Sequence, residues 1–246
     1  MDSEVKQERM LGMVEKLLDY CDEYGIELTY GQAELCVRHL LLVIEKNKVV
    51  NLTRILNTDE AVVLHLLDSL LLLPYLNKAP HGEFLDMGTG AGFPGIELAI
   101  ASGRNGLLID SVGKKVDAVC DFAEELKLEN VAVEQYRLEE AALDFDEQFS
   151  CVVARALAPL PVLIEYATPF ISDNGLFIVT KGNPEQSEIM AGQKASSICG
   201  LKLIKSQSFE LPQELGHREI YVFQKVRSPK IKLPRANGLA RKKPLA

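Results

Sequence analysis

Apolar side chains in the first ~75 residues recur at helical spacing, and no strand pattern interrupts them. Two such stretches run from residue 14 to 21 and from residue 35 to 43. A third helix is predicted from Thr58 to about Leu73, with Pro74 just beyond it. The N-terminal region is therefore predicted to be helical.

Short apolar runs alternate with helical stretches along the rest of the chain. Strands are predicted at residues 83–87, 106–110, 131–135, 149–154, 175–180, 201–209 and 219–225, and helices at 94–101, 114–126, 160–167 and 185–198. This alternation predicts an α/β, Rossmann-like fold with a doubly wound, mostly parallel sheet. The last two strands have no helix between them, so we expect an antiparallel hairpin at the edge of the sheet.

These patterns divide the chain into a helical subdomain (1–80), a Rossmann-like domain (81–225) and a tail (226–246). The tail is rich in proline and has little periodicity, so we expect it to be extended or flexible. Eight of the 27 basic residues and none of the 35 acidic ones follow Gln224. Such a basic tail on an acidic body indicates either a polyanionic partner or a solubilising segment.

Composition excludes several classes of protein. The five cysteines are scattered without the paired spacing of a zinc site or a disulfide framework, so we expect no metal and a reducing compartment. The N-terminus has no signal-peptide pattern, and the longest apolar run, residues 61–73, is too short to span a bilayer. We therefore expect a cytoplasmic protein without membrane contact.

A glycine-rich sequence, DMGTGAGFPG at residues 86–95, stands between a predicted strand and a predicted helix. Glycine at Gly88 and Gly90 permits positive φ and lets a ligand approach the backbone closely. Asp110 ends the next predicted strand, where a carboxylate can accept hydrogen bonds from both hydroxyls of an adenosine ribose. The pattern predicts a cofactor of the nucleotide type.

The same turn also spells GxGxxG, at Gly90, Gly92 and Gly95, as in nicotinamide-dependent dehydrogenases. Asp86 favours S-adenosylmethionine instead, because a carboxylate there would repel a pyrophosphate and suit a sulfonium or ammonium group. Pro94 removes one of the early helix amides that a phosphate would use. We therefore expect S-adenosylmethionine, with Asp86 among its contacts; a turn without ligand is the third alternative.

The residues after the fourth predicted strand help to choose the methyl acceptor. The sequence ARALAP (154–159) lacks both an Asn/Asp-Pro-Pro-aromatic stretch and a Pro-Cys nucleophile. It offers Arg155, which could bind guanine O6, a phosphate or the cofactor carboxylate, or form a salt bridge. Guanine N7 suits such a site because its lone pair needs no general base, only alignment with the methyl group. Arg155 is the one candidate catalytic residue.

Six short segments follow one another in an order typical of a known family: NLT (51–53), HLLDS (65–69), DMGTGAGFPG (86–95), DSVGKK (110–115), ARA (154–156) and KG (181–182). This string resembles the glucose-inhibited division protein B family, bacterial guanine-N7 methyltransferases of 16S ribosomal RNA. The resemblance covers about residues 51–225 and extends to the basic tail of Gram-positive members. It implies a class I methyltransferase, S-adenosylmethionine as cofactor, and 16S ribosomal RNA or the small ribosomal subunit as partner. We expect a monomer.

The resemblance also implies cofactor contacts for eight residues along the glycine-rich turn and the following strand ends: Gly88, Phe93, Asp110, Ser111, Val112, Leu138, Glu139 and Arg155. The first two would line the turn, the next three the adenosine, and Leu138 with Glu139 the adenine end. Arg155 would stand between cofactor and substrate. Two departures from the family are Leu64, where many members have Arg, and Lys115, where Arg is common.

Three further residues are predicted to contact the substrate. His65 and Asp68 are three residues apart and share a helix face, although a local hydrogen bond is the alternative. Lys181 ends the fifth strand, whereas Arg218 is expected in a salt bridge. Given the resemblance, the basic tail favours RNA, because phosphate contacts add sequence-independent affinity. Two alternatives stay open: a methyltransferase for a small molecule or protein, and a non-catalytic RNA-binding assembly factor.

Overall fold

A computed structural model describes residues 3–55 and 57–246 of the chain. Its centre is a single seven-stranded sheet, made of β1 (Phe84–Met87), β2 (Gly106–Asp110), β3 (Val131–Gln135), β4 (Phe149–Arg155), β5 (Ile171–Lys181), β6 (Leu201–Glu210) and β7 (His217–Lys225). The strand order is β3-β2-β1-β4-β5-β7-β6. Strands β1 to β5 pair in parallel, and β7 pairs antiparallel with both β5 and β6. The predicted edge hairpin and parallel sheet are confirmed.

Eleven α-helical segments surround the sheet within the described residues: α1 (Ser3–Glu23), α2 (Tyr30–Lys46), α3 (Thr58–Ala61), α4 (Asp68–Leu70), α5 (Leu73–Leu76), α6 (Gly95–Ser102), α7 (Gly113–Glu125), α8 (Leu138–Asp144), α9 (Leu160–Ala167), α10 (Gln186–Cys199) and α11 (Leu239–Lys242). A π-helical segment (Val62–Leu67) joins α3 to α4, and short 3-10 turns lie at Thr168–Phe170 and Pro212–Glu214.

Local sequence signals fix several helix ends. Thr29 and Gln32 form a capping box at the start of α2, each side chain serving the other residue's backbone. Gly103 and Gly200 end α6 and α10 in the left-handed conformation, at φ 67° and 78°. These residues stop the helices close to where the sequence predicted.

Three elements differ from the sequence prediction. The third helix contains the π-helical segment, and Pro74 lies in the first turn of α5 rather than beyond a helix end, because proline is tolerated in a first turn. Helix α8 was not predicted. It has only seven residues and buries just Ala141 and Ala142, so its apolar periodicity is weak.

The two faces of the sheet have separate cores. One face packs against α1, α2, α6, α7 and the helical segments from residue 58 to 76, so the N-terminal helices share their core with the sheet. The other face packs against α8 to α11. Over residues 3–55 and 57–246, we find no helix with the length and hydrophobicity that a membrane crossing requires.

The strand order reverses between β1 and β4: β2 and β3 lie on one side of β1, and β4 and β5 lie on the other. In an open α/β sheet, such a reversal leaves a ligand crevice at the carboxyl ends of the two central strands.

The tail is packed against α8 and α9, where the sequence predicted an extended or flexible segment. Arg235 forms two hydrogen bonds of 2.6 Å with the buried carboxylate of Glu165 in α9, and Ala240 of α11 is buried in the core. The physical reason lies in Glu165, since a carboxylate in an apolar helix needs a charged partner. Lys225 is likewise buried at the end of β7, paired with Glu147 at 2.5 Å.

Candidate cofactor and acceptor site

A cavity of about 860 Å³ opens at the carboxyl ends of β1, β2, β4 and β5. Ligand sites of proteins commonly measure about 300–1,000 Å³. Its walls come from the glycine-rich turn, the three loops after β2, β4 and β5, the π-helical segment and the start of β7. Ten of the predicted site residues line this cavity: Gly88, Gly90, Phe93, Asp110, Ser111, Val112, Arg155, His65, Asp68 and Lys181.

The glycine-rich turn needs glycine for both conformation and space. Gly88 has a φ of 73°, and a Cβ there would lie 2.6 Å from the side chain of Leu157. Gly92 has a φ of 98°, and its Cβ would lie 3.0 Å from the ring of His39. An L-residue with a side chain would therefore strain the backbone and displace a neighbour at either position. The turn leaves its backbone open to the cavity.

Asp86, which the sequence predicted as a cofactor contact, lies behind the turn and is not among the residues that line the cavity. Its carboxylate is fully buried, and Oδ2 accepts a hydrogen bond of 2.9 Å from the Gly95 amide. Burial raises the pKa of Asp86 to about 7, against the hydrogen bond from Gly95. The predicted repulsion of a pyrophosphate is correspondingly weak, because such a carboxyl is only partly charged at neutral pH. Asp86 instead stabilises the turn by accepting the hydrogen bond from the Gly95 amide.

Asp110 is held in place at the end of β2. Its Oδ1 accepts from the Val112 amide at 2.9 Å, and its Oδ2 accepts from the Gly90 amide at 3.0 Å. Each carboxylate oxygen keeps a further lone pair for a hydroxyl donor. Ser111 and Val112 are exposed at the rim beside it. This fixed acceptor on an open glycine turn fits the ribose and adenine of S-adenosylmethionine.

A smaller cavity of about 160 Å³ continues the site beyond Gly88 and Asp110. Leu138 and Glu139 line it, as the resemblance implied for the adenine end. Glu139 accepts two hydrogen bonds on Oε1, from the Gly238 amide at 2.8 Å and from the Tyr166 hydroxyl at 3.2 Å. The C-terminal tail therefore reaches the smaller cavity.

Arg155 ties the end of β4 to the N-terminal helices. Its Nη1 donates to the Leu64 carbonyl at 2.9 Å and to Asp68 Oδ2 at 3.1 Å, and its Nη2 faces His65 Nδ1 at 3.4 Å. Its guanidinium lies 5.5 Å from the centre of the Phe93 ring. The predicted candidate thus holds the boundary between the glycine-rich turn and the helical segment.

His65 stacks on Phe93, with ring centres 4.5 Å apart and planes within 5°. Burial, reinforced by the charge of Arg155, lowers the pKa of His65 to about 3, so the ring is neutral. Arg155 donates toward Nδ1, so the ring proton lies on Nε2, 2.8 Å from the hydroxyl of Thr53. The π-helical segment that contains His65 is of a type common at functional sites.

Asp68 and Lys181 are both engaged within the protein. The Asp68 carboxylate also accepts from Arg218 Nε at 2.9 Å, which confirms the expected salt bridge of Arg218. Lys181 Nζ donates to the Ala158 carbonyl at 3.0 Å and lies 2.8 Å from Glu188. Both predicted substrate residues line the cavity, but their charges are neutralised by neighbours.

The charge of the cavity opposes that of the whole protein. The net charge of the chain is −8, yet the cavity lining holds five basic side chains and two acidic ones: Arg54, Lys115, Arg155, Lys181 and Arg218, against Asp68 and Asp110. Arg54 and Lys115 were not predicted as site residues, because single basic side chains in a charged sequence carry no signal. Among the described residues, neither takes part in an ion pair. The cavity therefore suits an anionic ligand.

A buried pair outside the cavity also supports the turn. His39 of α2 and Glu97 of α6 are both fully buried, and Nδ1 lies 2.6 Å from Oε1. The other ring nitrogen donates to the Ala91 carbonyl at 3.0 Å, because a carbonyl oxygen can only accept. The sequence offered one signal for this pair, a single acid within the apolar helix α6. His39 connects the N-terminal helices to the glycine-rich turn.

Comparison with known proteins identifies relatives over most of the chain. The sequence profile of the rRNA small subunit methyltransferase G family matches residues 32–219. The ribosomal RNA small subunit methyltransferase G of Desulfitobacterium hafniense is 38% identical over 224 residues, which cover 90% of this chain and 92% of that relative. The protein of the same name from Alkaliphilus metalliredigens is 35% identical, over 93% of this chain and 97% of that relative.

Solved structures agree on the fold. A geranyl diphosphate methyltransferase in complex with S-adenosylmethionine has a TM-score of 0.52 at 13% identity, covering 65% of this chain and 85% of its own. The precorrin-6y C5,15-methyltransferase of Geobacter metallireducens has a TM-score of 0.51 at 12% identity, covering 64% and 87%. The fold is that of the class I methyltransferases that use S-adenosylmethionine. Together with the profile match, the relatives show that the chain belongs to the rRNA small subunit methyltransferase G family.

Proposed function

We propose that this chain transfers a methyl group from S-adenosylmethionine to N7 of a guanine in 16S ribosomal RNA. The observation that carries this proposal is that the cavity holds no available general base among the described residues. Asp68 is paired with two arginines, and Asp110 accepts two backbone amides. His65 has its ring nitrogens directed at Thr53 and Arg155.

An acceptor for such a cavity must react without losing a proton first. A hydroxyl or an exocyclic amine loses a proton on methylation and benefits from a nearby base. Guanine N7 carries a lone pair in the plane of the ring and bears no hydrogen, so alignment with the methyl group is sufficient. This difference favours N7 over the oxygen and amine acceptors of RNA or of small molecules.

The residues present fit the cofactor. When bound, S-adenosylmethionine supplies an electrophilic methyl group carried by a sulfonium. Asp110 would accept from the ribose hydroxyls, Gly88 and Gly90 would lie against the ligand through their backbone, and Leu138 would pack at the adenine end. Thr180 at the end of β5 is a further candidate contact, since its buried Oγ1 has no hydrogen-bond partner among the described residues and the residue lines the cavity.

The remaining side chains would hold the acceptor. A guanine in structured RNA must leave its stack to reach a cavity, which costs a few kcal/mol that contacts to the displaced nucleotide must offset. Arg54 and Lys115 at the cavity wall are suited to phosphates, and Arg155 is suited to the guanine edge by its remaining N–H groups. The relatives are named for ribosomal RNA of the small subunit, which makes 16S ribosomal RNA the acceptor of choice. We further propose that the protein acts in the cytoplasm, as a monomer.

Transfer of a labelled methyl group separates this function from its alternatives. The protein is incubated with methyl-labelled S-adenosylmethionine and, in parallel, with naked 16S ribosomal RNA, small ribosomal subunits, or a pool of metabolites and proteins. We expect label in 16S ribosomal RNA, free or assembled. Label confined to metabolites or proteins would establish a methyltransferase for a small molecule or protein. Binding of RNA and cofactor without methyl transfer would establish a non-catalytic assembly factor.

A further inference from the structure

The C-terminal tail lies against the adenosine end of the site, although its sequence had suggested a mobile RNA-binding segment. Gly238 and Arg241 form part of the wall of the smaller cavity. That cavity shares Gly88 and Asp110 with the main one. Gly238 and Arg241 of the tail are thus neighbours of the residues proposed to hold the adenosine, although more than 100 positions of sequence separate them from Gly88 and Asp110.

Two sets of contacts anchor the tail there. Arg235 makes its bidentate ion pair with Glu165, whose side chain is only 3% exposed, and also donates to the Lys243 carbonyl at 2.8 Å. Asn237 donates to Glu140 at 2.7 Å. Planar two-point pairs of this kind are the strongest and most directional of side-chain hydrogen bonds. These contacts dock the tail against α8 and α9.

Glu139 connects the tail to the cofactor end. It accepts from the Gly238 amide of the tail at 2.8 Å and from the Tyr166 hydroxyl of α9 at 3.2 Å. Arg241 closes the arrangement from the other side, donating to the Leu157 carbonyl at 3.3 Å. Leu157 is the side chain that fills the space above Gly88. The tail thus contacts two wall residues of the smaller cavity, Glu139 and Leu157, and reaches Tyr166 through Glu139.

We propose that the docked tail is a structural part of the S-adenosylmethionine site and sets the affinity for the adenosine half of the cofactor. This inference rests on the proposed cofactor and goes beyond it, because the tail's role does not involve RNA. Arg241 is the wall residue. Arg235 is the positioning residue, because it anchors the segment that carries Arg241 to Glu165 and donates to the Lys243 carbonyl of that segment. Binding is reciprocal by thermodynamic necessity, so the cofactor must in turn stabilise the docked tail.

The test measures binding of S-adenosylhomocysteine and of 5′-methylthioadenosine by calorimetry without RNA. The variants are a chain ending at Lys232, Arg235→Ala and Arg241→Ala, and Lys242→Ala is the matched control, an exposed cation of the same short helix. We expect truncation and Arg235→Ala to raise both dissociation constants about tenfold, within the usual range of coupling between adjacent sites. Arg241→Ala removes a single hydrogen bond and should raise them by a smaller factor of about three, and Lys242→Ala should leave them unchanged.

A second readout separates this role from general stability. Amide hydrogen exchange of residues 233–245 should slow when S-adenosylhomocysteine binds the unaltered chain, which a purely structural tail would not show. Unchanged dissociation constants in truncated and Arg235→Ala chains that remain folded would overturn the tail proposal alone. If those two chains fail to fold, Arg241→Ala decides, because it leaves the Arg235–Glu165 anchor intact. An unaltered chain that binds neither compound would overturn the proposed function instead.

Discussion

Arg155 and Asp68 form an ion pair of 3.1 Å across the cavity, joining the end of β4 to the start of α4. The opposite oxygen of the same carboxylate accepts from Arg218 of β7 at 2.9 Å. The side chain of Asp68 is only 5% exposed. One carboxylate therefore holds together two strands of the sheet and the N-terminal helical segment, at the place where acceptor and methyl group would meet.

Removing this charge should cost more stability than breaking a surface pair. In Asp68→Asn, two arginines in a mostly buried site lose their counter-charge, and we expect the free energy of unfolding in urea to fall by about 3 kcal/mol. Asp59→Asn is the matched control, since Asp59 pairs with Lys16 at the surface with 73% of its side chain exposed. That change should cost less than about 1 kcal/mol. Equal losses in the two variants would contradict the role assigned to Asp68.

Arg155 should act on the rate of transfer more than on cofactor binding. Arg155→Ala removes the three contacts to Leu64, His65 and Asp68. We expect the rate of transfer to fall about 100-fold, because a misplacement of the reactants by about 1 Å has an effect of that size. Arg155→Lys keeps the charge but cannot make these contacts at once, so it should recover little activity. Turnover and the dissociation constant of S-adenosylhomocysteine are measured for each. Full turnover in Arg155→Ala would exclude a positioning role.

Asp110 should matter for cofactor affinity. In Asp110→Asn, the amide oxygen can replace only one of the two acceptors, so the hydrogen bond from either the Gly90 or the Val112 amide is lost together with the charged acceptor for the ribose. Hydrogen bonds to charged groups are worth about 1.5–3 kcal/mol, so the dissociation constant of S-adenosylhomocysteine should rise at least about tenfold. Asp117→Asn, an exposed position on α7, is the control and should bind normally. Normal binding by Asp110→Asn would remove this carboxylate from the site.

Buried Asp86 should make stability depend on pH in an unusual direction. Its pKa is raised from 3.8 to about 7 by burial, so the native chain holds this proton more strongly than the unfolded chain does. Its contribution to the free energy of unfolding should therefore decrease as pH rises from about 4 to about 7, by about 1.4 kcal/mol per unit. Above that range the contribution should be constant.

Comparison with a neutral variant isolates this effect from other titrating groups. Asp86→Asn can still accept from the Gly95 amide through Oδ1, and its stability relative to the unaltered chain should increase between pH 5 and pH 8. Unfolding in urea is measured at both pH values, with Asp19→Asn on the exposed side of α1 as control. A constant difference between Asp86→Asn and the unaltered chain would show that Asp86 is charged in the folded protein throughout.

Sequence patterns predicted the strands and the longer helices of the Rossmann-like domain within a few residues, because buried strands and amphipathic helices leave strong apolar periodicity. They also placed Gly88 and Asp110 at the site, since glycine spacing and strand ends are local features. They did not reveal on which side of the turn Asp86 lies, because that depends on packing against α6. Local sequence does not specify the direction in which such a side chain points.

Long-range pairs of polar side chains were the other features beyond sequence prediction. Arg235 and Glu165 are 70 positions apart, and His39 and Glu97 are 58 apart. Each pair includes one acid inside an otherwise apolar helix, which signals that a partner exists without identifying it. The basic composition of the tail favoured RNA as its partner, whereas Arg235 forms an ion pair with Glu165, a buried acid of its own chain.

The identity of the methylated nucleoside tests the central claim most directly. Small subunits lacking this modification are incubated with the protein and S-adenosylmethionine, and the 16S ribosomal RNA is digested to nucleosides and analysed by mass spectrometry against standards. Arg155→Ala, sampled at the same early time, serves as the parallel sample of low activity. The account predicts 7-methylguanosine at up to one mole per mole of RNA, and far less in the variant sample. A methyl group found on any other nucleoside or atom, or none at all, would contradict it.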